Sequence, residues 1–255
     1  MMVEEKNTIR VLDTPCLVTD SADLTDRITR HVKGSHPLAC SVDFTNVHIV
    51  AMRKINADFR EKTSKVDWFV PDSQILTWAA TWLGAQGNQR VYGPEFLDYF
   101  VRHADEALTH YFLGASSTCL EQLIVKLKEK RPELKIVGWH DGYFKEEDES
   151  AINDDIKRAC PDVVWVGLGT PKQQEWIHRN QESLKVGALL AVGFAFDVNA
   201  GTKSDAPQWM GKMGVLWLYR FLCEPRRLFK RYAIYNTVFL WHLLRQVMRF
   251  ESSRR

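Results

Sequence analysis

Between Leu38 and Gly193, short apolar runs alternate with helical patterns, and this alternation restricts the fold more than any other feature. VDWFV, HYFLG, KIVG, DVVWV and GALLAVG are apolar throughout and end in turn residues. Between them, Gln74–Leu83, Glu95–His103 (with Pro94 in its first turn), Ser117–Lys130, Glu146–Ala159 and Lys172–Asn180 read as helices. Strands without polar alternation, joined by helices, belong to βαβ units whose sheet is covered on both sides. The spacing therefore predicts an α/β fold: a Rossmann-like, mostly parallel sheet with helices on both faces. Upstream, Ile9–Val18 reads as an opening strand or hairpin around Pro15. Ala22–Lys33 reads as a helix with Ser21 at its N-cap, Leu38–Val42 as a strand, and Asn46 as the cap of a helix carrying Ile49, Val50 and Met52.

The alternation stops near Lys203. Residues 1–203 are expected to form the α/β core and residues 204–255 a basic amphipathic helical appendage. From Lys203 onward the chain holds eleven Lys/Arg and three Asp/Glu, whereas the whole chain has 34 and 32. A mildly acidic body with a basic tail points to an anionic ligand or surface for the tail. Leu228, Tyr232, Tyr235, Phe239, Leu243, Val247 and Phe250 recur every three or four residues as one apolar stripe, flanked by Arg227, Arg231, Arg245 and Arg249. Such a stripe fits a membrane surface, a face of its own domain or a partner subunit, so a homo-oligomer stays open. Ala233–Leu244 is the most apolar late stretch, and it is too short for the roughly 20 residues that cross a bilayer.

In an open parallel sheet, ligands bind outside the carboxyl ends of the strands. That places Asp72, Gly114–Ser117, His140–Tyr143 (with Gly142), Gly167–Gln173 and Asp197 around the expected site. Asp72 stands where a general base would, though an Asp before a helix is commonly its cap. Gly114 and Ala115 precede a Ser-capped helix start that suits a phosphate. GLGTPKQQEW offers Gly167 and Gly169, a helix-starting Pro171, and Lys172 and Gln173 for a diphosphate and a sugar. His140 reads most simply as a loop histidine satisfied by hydrogen bonds.

The chain contains no GxxxxGK[ST], GxGxxG, DxD or GxSxG. A P-loop NTPase is excluded, and a nicotinamide dehydrogenase or a serine hydrolase loses its usual signature. Five cysteines, Cys16, Cys40, Cys119, Cys160 and Cys223, lie far apart without metal-ligand spacing. The odd cysteine count and the acidic start MMVEEKNTIR fit a cytosolic chain rather than a secreted one. The acidic body argues against nucleic acid as partner. Two readings remain open on these residues: a nucleotide-binding dehydrogenase or reductase, and a non-catalytic membrane-surface protein.

Blocks in order from Asp43 to Tyr232 resemble the WecG/TagA/CpsF glycosyltransferases of bacterial surface polysaccharide synthesis. They are VPD (Val70–Asp72), RVYG (Arg90–Gly93), FLGAS (Phe112–Ser116), VGWHDGYF, GLGTPKQQEW, VGFAFDVNAG, APQWM and WLYRFLCEPRRLFKRY. The resemblance implies transfer of a sugar from a UDP-sugar to a polyprenyl-diphosphate-linked saccharide, with inversion and with no obligate metal or further cofactor. By position, Asp72 is similar to the family's general base, and Arg220, Arg227 and Arg231 to its tail arginines that reach the diphosphate. Gly167, Gly169, Pro171, Lys172, Gln173 and Glu175 look like its nucleotide-sugar pocket, Asn46 resembles the Asn of its Thr-x-Asn element, and Thr45, Arg90 and Gly93 are expected at the substrate beside them. Phe44, Ser73, Glu95 and Lys230 depart from the usual Thr, Gly, Asp and Arg. The resemblance also implies a location at the cytoplasmic face of the membrane, with the tail docked on lipid.

Overall fold

A computed structural model describes residues 7–34 and 38–252, so the acidic opening read from MMVEEK lies outside the described residues. An N-terminal hairpin, β1 (Thr8–Val11) and β2 (Thr14–Leu17), leads into helix α1 (Ser21–Lys33). Asp20, not Ser21, caps α1, because its carboxylate accepts from the amides of Ala22 and Asp23. Next come β3 (Cys40–Thr45), α2 (Val47–Ile55), α3 (Ala57–Lys62), β4 (Trp68–Pro71), α4 (Gln74–Trp82) and α5 (Gly93–His103). The short α3 has no counterpart in the sequence reading; Asn56 caps it, and it buries only Phe59.

The second half is regular: β5 (Thr109–Gly114), α6 (Ser117–Lys130), β6 (Lys135–His140), α7 (Glu149–Ala159), β7 (Val163–Gly167), α8 (Lys172–Asn180), β8 (Ala188–Ala191) and α9 (Ala195–Ala200). The stretch read as one helix from Glu146 begins as a 3-10 turn, Glu146–Asp148, before α7. Three helices close the chain: α10 (Gln208–Lys212), α11 (Leu216–Cys223) and α12 (Pro225–Ser252). The sheet order is β1-β2-β4-β3-β8-β7-β5-β6, parallel except for the β1–β2 hairpin. All six strands from β3 to β8 therefore end on one edge of the sheet.

Burial explains the covering. Val42, Phe44, Phe112, Trp165 and Leu190 pack one face of the sheet against α1, α5, α6 and α9. On the other face, Tyr111, Leu113, Val164 and Leu189 meet Ile152 and Ile156 of α7 and Trp176 of α8. A third cluster joins the hairpin, α2 and α4 to the last helix: Val11, Cys16, Val50, Leu76 and Ala80 enclose Phe239 and Leu243. Gln246 fastens that helix to the hairpin, donating to the Arg10 carbonyl and accepting from the Leu12 amide, both at 2.7 Å.

The apolar stripe of the tail thus packs on its own domain. Leu228, Phe239 and Leu243 are buried, and Tyr232, Tyr235, Val247 and Phe250 are partly covered. A second stripe on the same helix stays in water: Phe229, Leu240, Trp241, Leu244 and Met248. The 28-residue α12 is apolar on two faces, and only one of them was legible as a stripe. No helix among the described residues is long and apolar enough to cross a membrane.

Candidate active site

A cleft of about 760 Å3 opens along the carboxyl ends of the parallel strands, roofed by α10, α11 and the start of α12. Asp72, the first residue after β4, lies on its wall. It does not cap α4; Ser73 does, its hydroxyl accepting from the Leu76 amide at 3.4 Å. The Asp72 carboxylate is left facing the cleft, with Oδ1 accepting from the Gly93 amide at 2.8 Å. Burial raises its acid to about 6, against the pull of Arg220, the Gly93 hydrogen bond and Arg90; Asp43 adds to the rise. Such a group is ionised at neutral pH yet basic enough to take a proton.

Beneath the wall, Asp43 is fully buried on β3 and accepts from the Thr45 hydroxyl and from Gln174 Nε2, the latter at 2.7 Å. The Thr45 hydroxyl is spent there and turned away from the cleft. Asn46 caps α2, its Oδ1 accepting from His48 and Ile49 amides. Its amide NH2 remains as the group it offers the cleft it lines.

At the opposite end, Gly167 lines the floor, and Gly114 lies against it outside the lining. Gly114 has φ +140°, and a Cβ there would lie 2.4 Å from the Gly167 carbonyl carbon, so no larger residue fits either role. Ala115 donates to the Gly167 carbonyl and accepts from the Gly142 amide, which joins three strand-end loops. Gln173 is buried at the rim, its Oε1 accepting from the Gly169 amide at 3.1 Å. Gly142, Tyr143, Gly167, Gly169 and Asp197 also line the cleft, and Asp197 pairs with Lys203 at 3.5 Å.

Other residues named from the sequence sit elsewhere. Lys172 donates to the Gly142 carbonyl at 2.9 Å and lies over the Phe144 ring, bracing the loop from behind. Pro171 stands exposed at the N-cap position of α8 and makes no side-chain capping bond. Glu175 pairs with Lys62 at 3.1 Å. His140 is satisfied by the Asp141 carbonyl and lies edge-on to Phe144.

The roof carries the positive charge. Arg220 lies over the Phe194 ring at 4.7 Å, and its Nη2 donates to the Tyr92 hydroxyl at 2.9 Å. Its Nε is buried without a hydrogen-bond partner among the described residues, a donor left for something in the cleft. Arg231 lines the cleft beside His48, whose acid is pushed down to about 3 by burial and by that arginine, so the imidazole stays neutral. Arg90 pairs with Glu95 at 3.1 Å and stacks over Tyr92. Arg227 sits on α12, with its side chain outside the described residues. A carboxylate base facing arginines across an apolar-and-glycine floor suits a reaction whose leaving group is an anion.

The glycosyl transferase WecG/TagA/CpsF family model matches residues 9–253. The chain belongs to that family. It is a glycosyltransferase, which sets aside the dehydrogenase and non-catalytic readings. Among its relatives, a Bacillus spizizenii protein named N-acetylglucosaminyldiphosphoundecaprenol N-acetyl-beta-D-mannosaminyltransferase is 28% identical over 190 residues, 73% of each chain. A Staphylococcus aureus protein of the same name is 28% identical over 186 residues, 72% of each.

The cleft also brings together residues that the sequence reading passed over. Tyr92 lies inside RVYG, between the two positions singled out there, and Asp205 in the connection before α10. Their signal is weak in sequence, because a Tyr beside a helix start is usually core packing. Only the roof's position shows what the hydroxyl touches.

Proposed function

We propose that the enzyme moves a sugar from a UDP-sugar to a polyprenyl-diphosphate-linked saccharide, with inversion and without a metal cofactor, at the cytoplasmic face of the membrane. The observation that carries this is Asp72: a carboxylate freed from capping, raised toward neutrality, and sharing its cleft with Arg220, whose charge pulls on it most strongly. In a single displacement, Asp72 takes the proton from an acceptor hydroxyl as that oxygen attacks the anomeric carbon, a contribution of roughly 10²–10⁴-fold. The bond to UDP breaks as the new bond forms, and its electron pair leaves with the diphosphate. Arg220, Arg231 and Arg227 are the residues assigned to that charge, and guanidinium meets phosphate oxygens in bidentate geometry. Asn46, Gly142, Gly167, Gly169, Gln173 and Asp197 are assigned to the nucleotide sugar that the cleft encloses.

The relatives' names make an N-acetylhexosamine the first donor to try, and an N-acetylglucosaminyl-diphosphate lipid the first acceptor. The outer stripe of α12, with Arg245 stacked 4.3 Å over Trp241, supports docking on an anionic lipid surface where such an acceptor resides. Incubation with a panel of UDP-sugars and a polyprenyl-diphosphate acceptor, with and without EDTA, tests the reading. UDP release that requires the acceptor and survives EDTA is expected. Folded enzyme that releases no UDP with any donor would refute it.

A further inference from the structure

A hydrogen-bonded chain crosses the seam between the roof and the body. Tyr92 is 2% exposed and stands between Arg220 of the roof and Asp205 of the connection leading into it. Its hydroxyl donates to Asp205 Oδ1 at 2.8 Å and accepts from Arg220 Nη2 at 2.9 Å. A phenol has one hydrogen, so committing it to Asp205 turns a lone pair toward the guanidinium. The chain runs one way, from arginine to tyrosine to carboxylate. The Tyr92 ring is itself clasped, with Arg90 4.8 Å from its centre and Arg220 5.7 Å from it. Gly211 of α10 lets the roof lie against Arg90, since a Cβ there would come within 2.7 Å of the guanidinium.

The neighbouring residue completes the arrangement. Gly93 holds Asp72 through its backbone amide, while Tyr92 holds Arg220 through its side chain. One dipeptide at the start of α5 therefore fixes both the base and the cation across the cleft. We propose that Tyr92 is a positioning residue that fastens Arg220, and with it the roof, over the reacting centre, with Asp205 orienting its hydroxyl. This rests on the glycosyltransfer assignment above, and it adds how the tail arginine is set.

The test uses the full chain with UDP as the probe. Tyr92→Phe keeps the ring and removes the hydroxyl; Asp205→Asn keeps both and removes the carboxylate that orients it. Both are expected to weaken UDP binding about tenfold in calorimetry, the scale of one charge-assisted hydrogen bond. In an Arg220→Ala background the Tyr92→Phe change should add less than about twofold, because the group it positions is gone. The acidic limb of the rate profile should also move up in Tyr92→Phe, since Arg220 is the largest of the influences holding the Asp72 acid down. A merely structural tyrosine would move neither the coupling nor the limb. Full UDP affinity in Tyr92→Phe, or an undiminished penalty in the Arg220→Ala background, overturns the proposal. If the wild type binds no UDP, the UDP-sugar assignment falls instead. Hydrogen exchange then decides: faster exchange across Leu216–Cys223 in Tyr92→Phe upholds the fastening, and unchanged exchange refutes it.

Discussion

Gly93 donates its amide to Asp72 Oδ1 over 2.8 Å, and it can do so because Ser73 has taken over the capping of the next helix. An aspartate that caps a helix has its acid held down and its oxygens occupied. Here a single amide orients the carboxylate and leaves its second oxygen for an incoming hydroxyl. Burial outweighs that amide and the arginines, so the acid rises.

Asp72→Asn is expected to lose roughly 10²–10⁴-fold in kcat, with donor affinity little changed. The same change should stabilise the fold. An acid raised in the folded state costs stability once pH climbs past the unfolded value of 3.8, and the cost is complete above about 6. The variant should therefore be more stable at pH 8, by roughly 3 kcal/mol, and match the wild type below pH 4. Calorimetry at both pH values checks the sign; a lower melting point at pH 8 would refute the buried-acid account.

The pH dependence of kcat/KM should fall on the acidic side near the Asp72 value of about 6. Arg220→Gln removes the charge that pulls most strongly on the Asp72 acid, so the limb should move up while the maximal rate drops about 10²-fold or more, the usual loss for one preorganised donor to a developing anion. A variant whose limb stays in place would show that Arg220 does not face Asp72 in the working enzyme.

The fold was largely legible because its strands are buried on both sides and so appear as unbroken apolar runs. VVWV and ALLA could hardly be anything else between two helical patterns. Gly114 and Gly167 were legible as strand-end turns, but their mutual contact was not, since it joins residues far apart in sequence. Lys172 looked like a diphosphate ligand because a first-turn lysine after glycines usually points at the site; here the carbonyl of Gly142 and the ring of Phe144 capture it. The tail was legible as a stripe, with its partner left open among a membrane, its own domain and another subunit. Periodicity identifies an apolar face but not what covers it, and the face it identified turned out to be covered by the hairpin and α2.

That covering reverses an outcome one would expect of a detachable tail. Deleting residues 204–255 should expose Val11, Cys16, Val50, Leu76 and Ala80, which Phe239 and Leu243 now seal. The truncated chain is therefore expected to be less stable and more prone to aggregate, not more soluble. Phe239→Ala alone should cost about 3–5 kcal/mol, the usual range for emptying a fully buried phenylalanine site. Urea denaturation of the point variant checks this; a loss below about 1 kcal/mol would mean that α12 is detached in solution.

The outer stripe should behave in the opposite way. Trp241, Leu244 and Met248 each keep more than half of their surface in water, so truncating them removes little packing. Trp241→Ser with Leu244→Ser is expected to leave the melting point within about 0.5 kcal/mol of the wild type. Flotation with anionic phospholipid vesicles should nonetheless show most of the bound protein lost, because an interfacial helix binds through the apolar area it inserts and through basic residues beside it. Arg245, stacked on Trp241, supplies part of that charge, so salt should weaken the residual binding further. Transfer to an acceptor embedded in the same vesicles should fall in step with the bound fraction. Unchanged flotation by the double variant would remove the membrane from this face and leave the stripe for another partner.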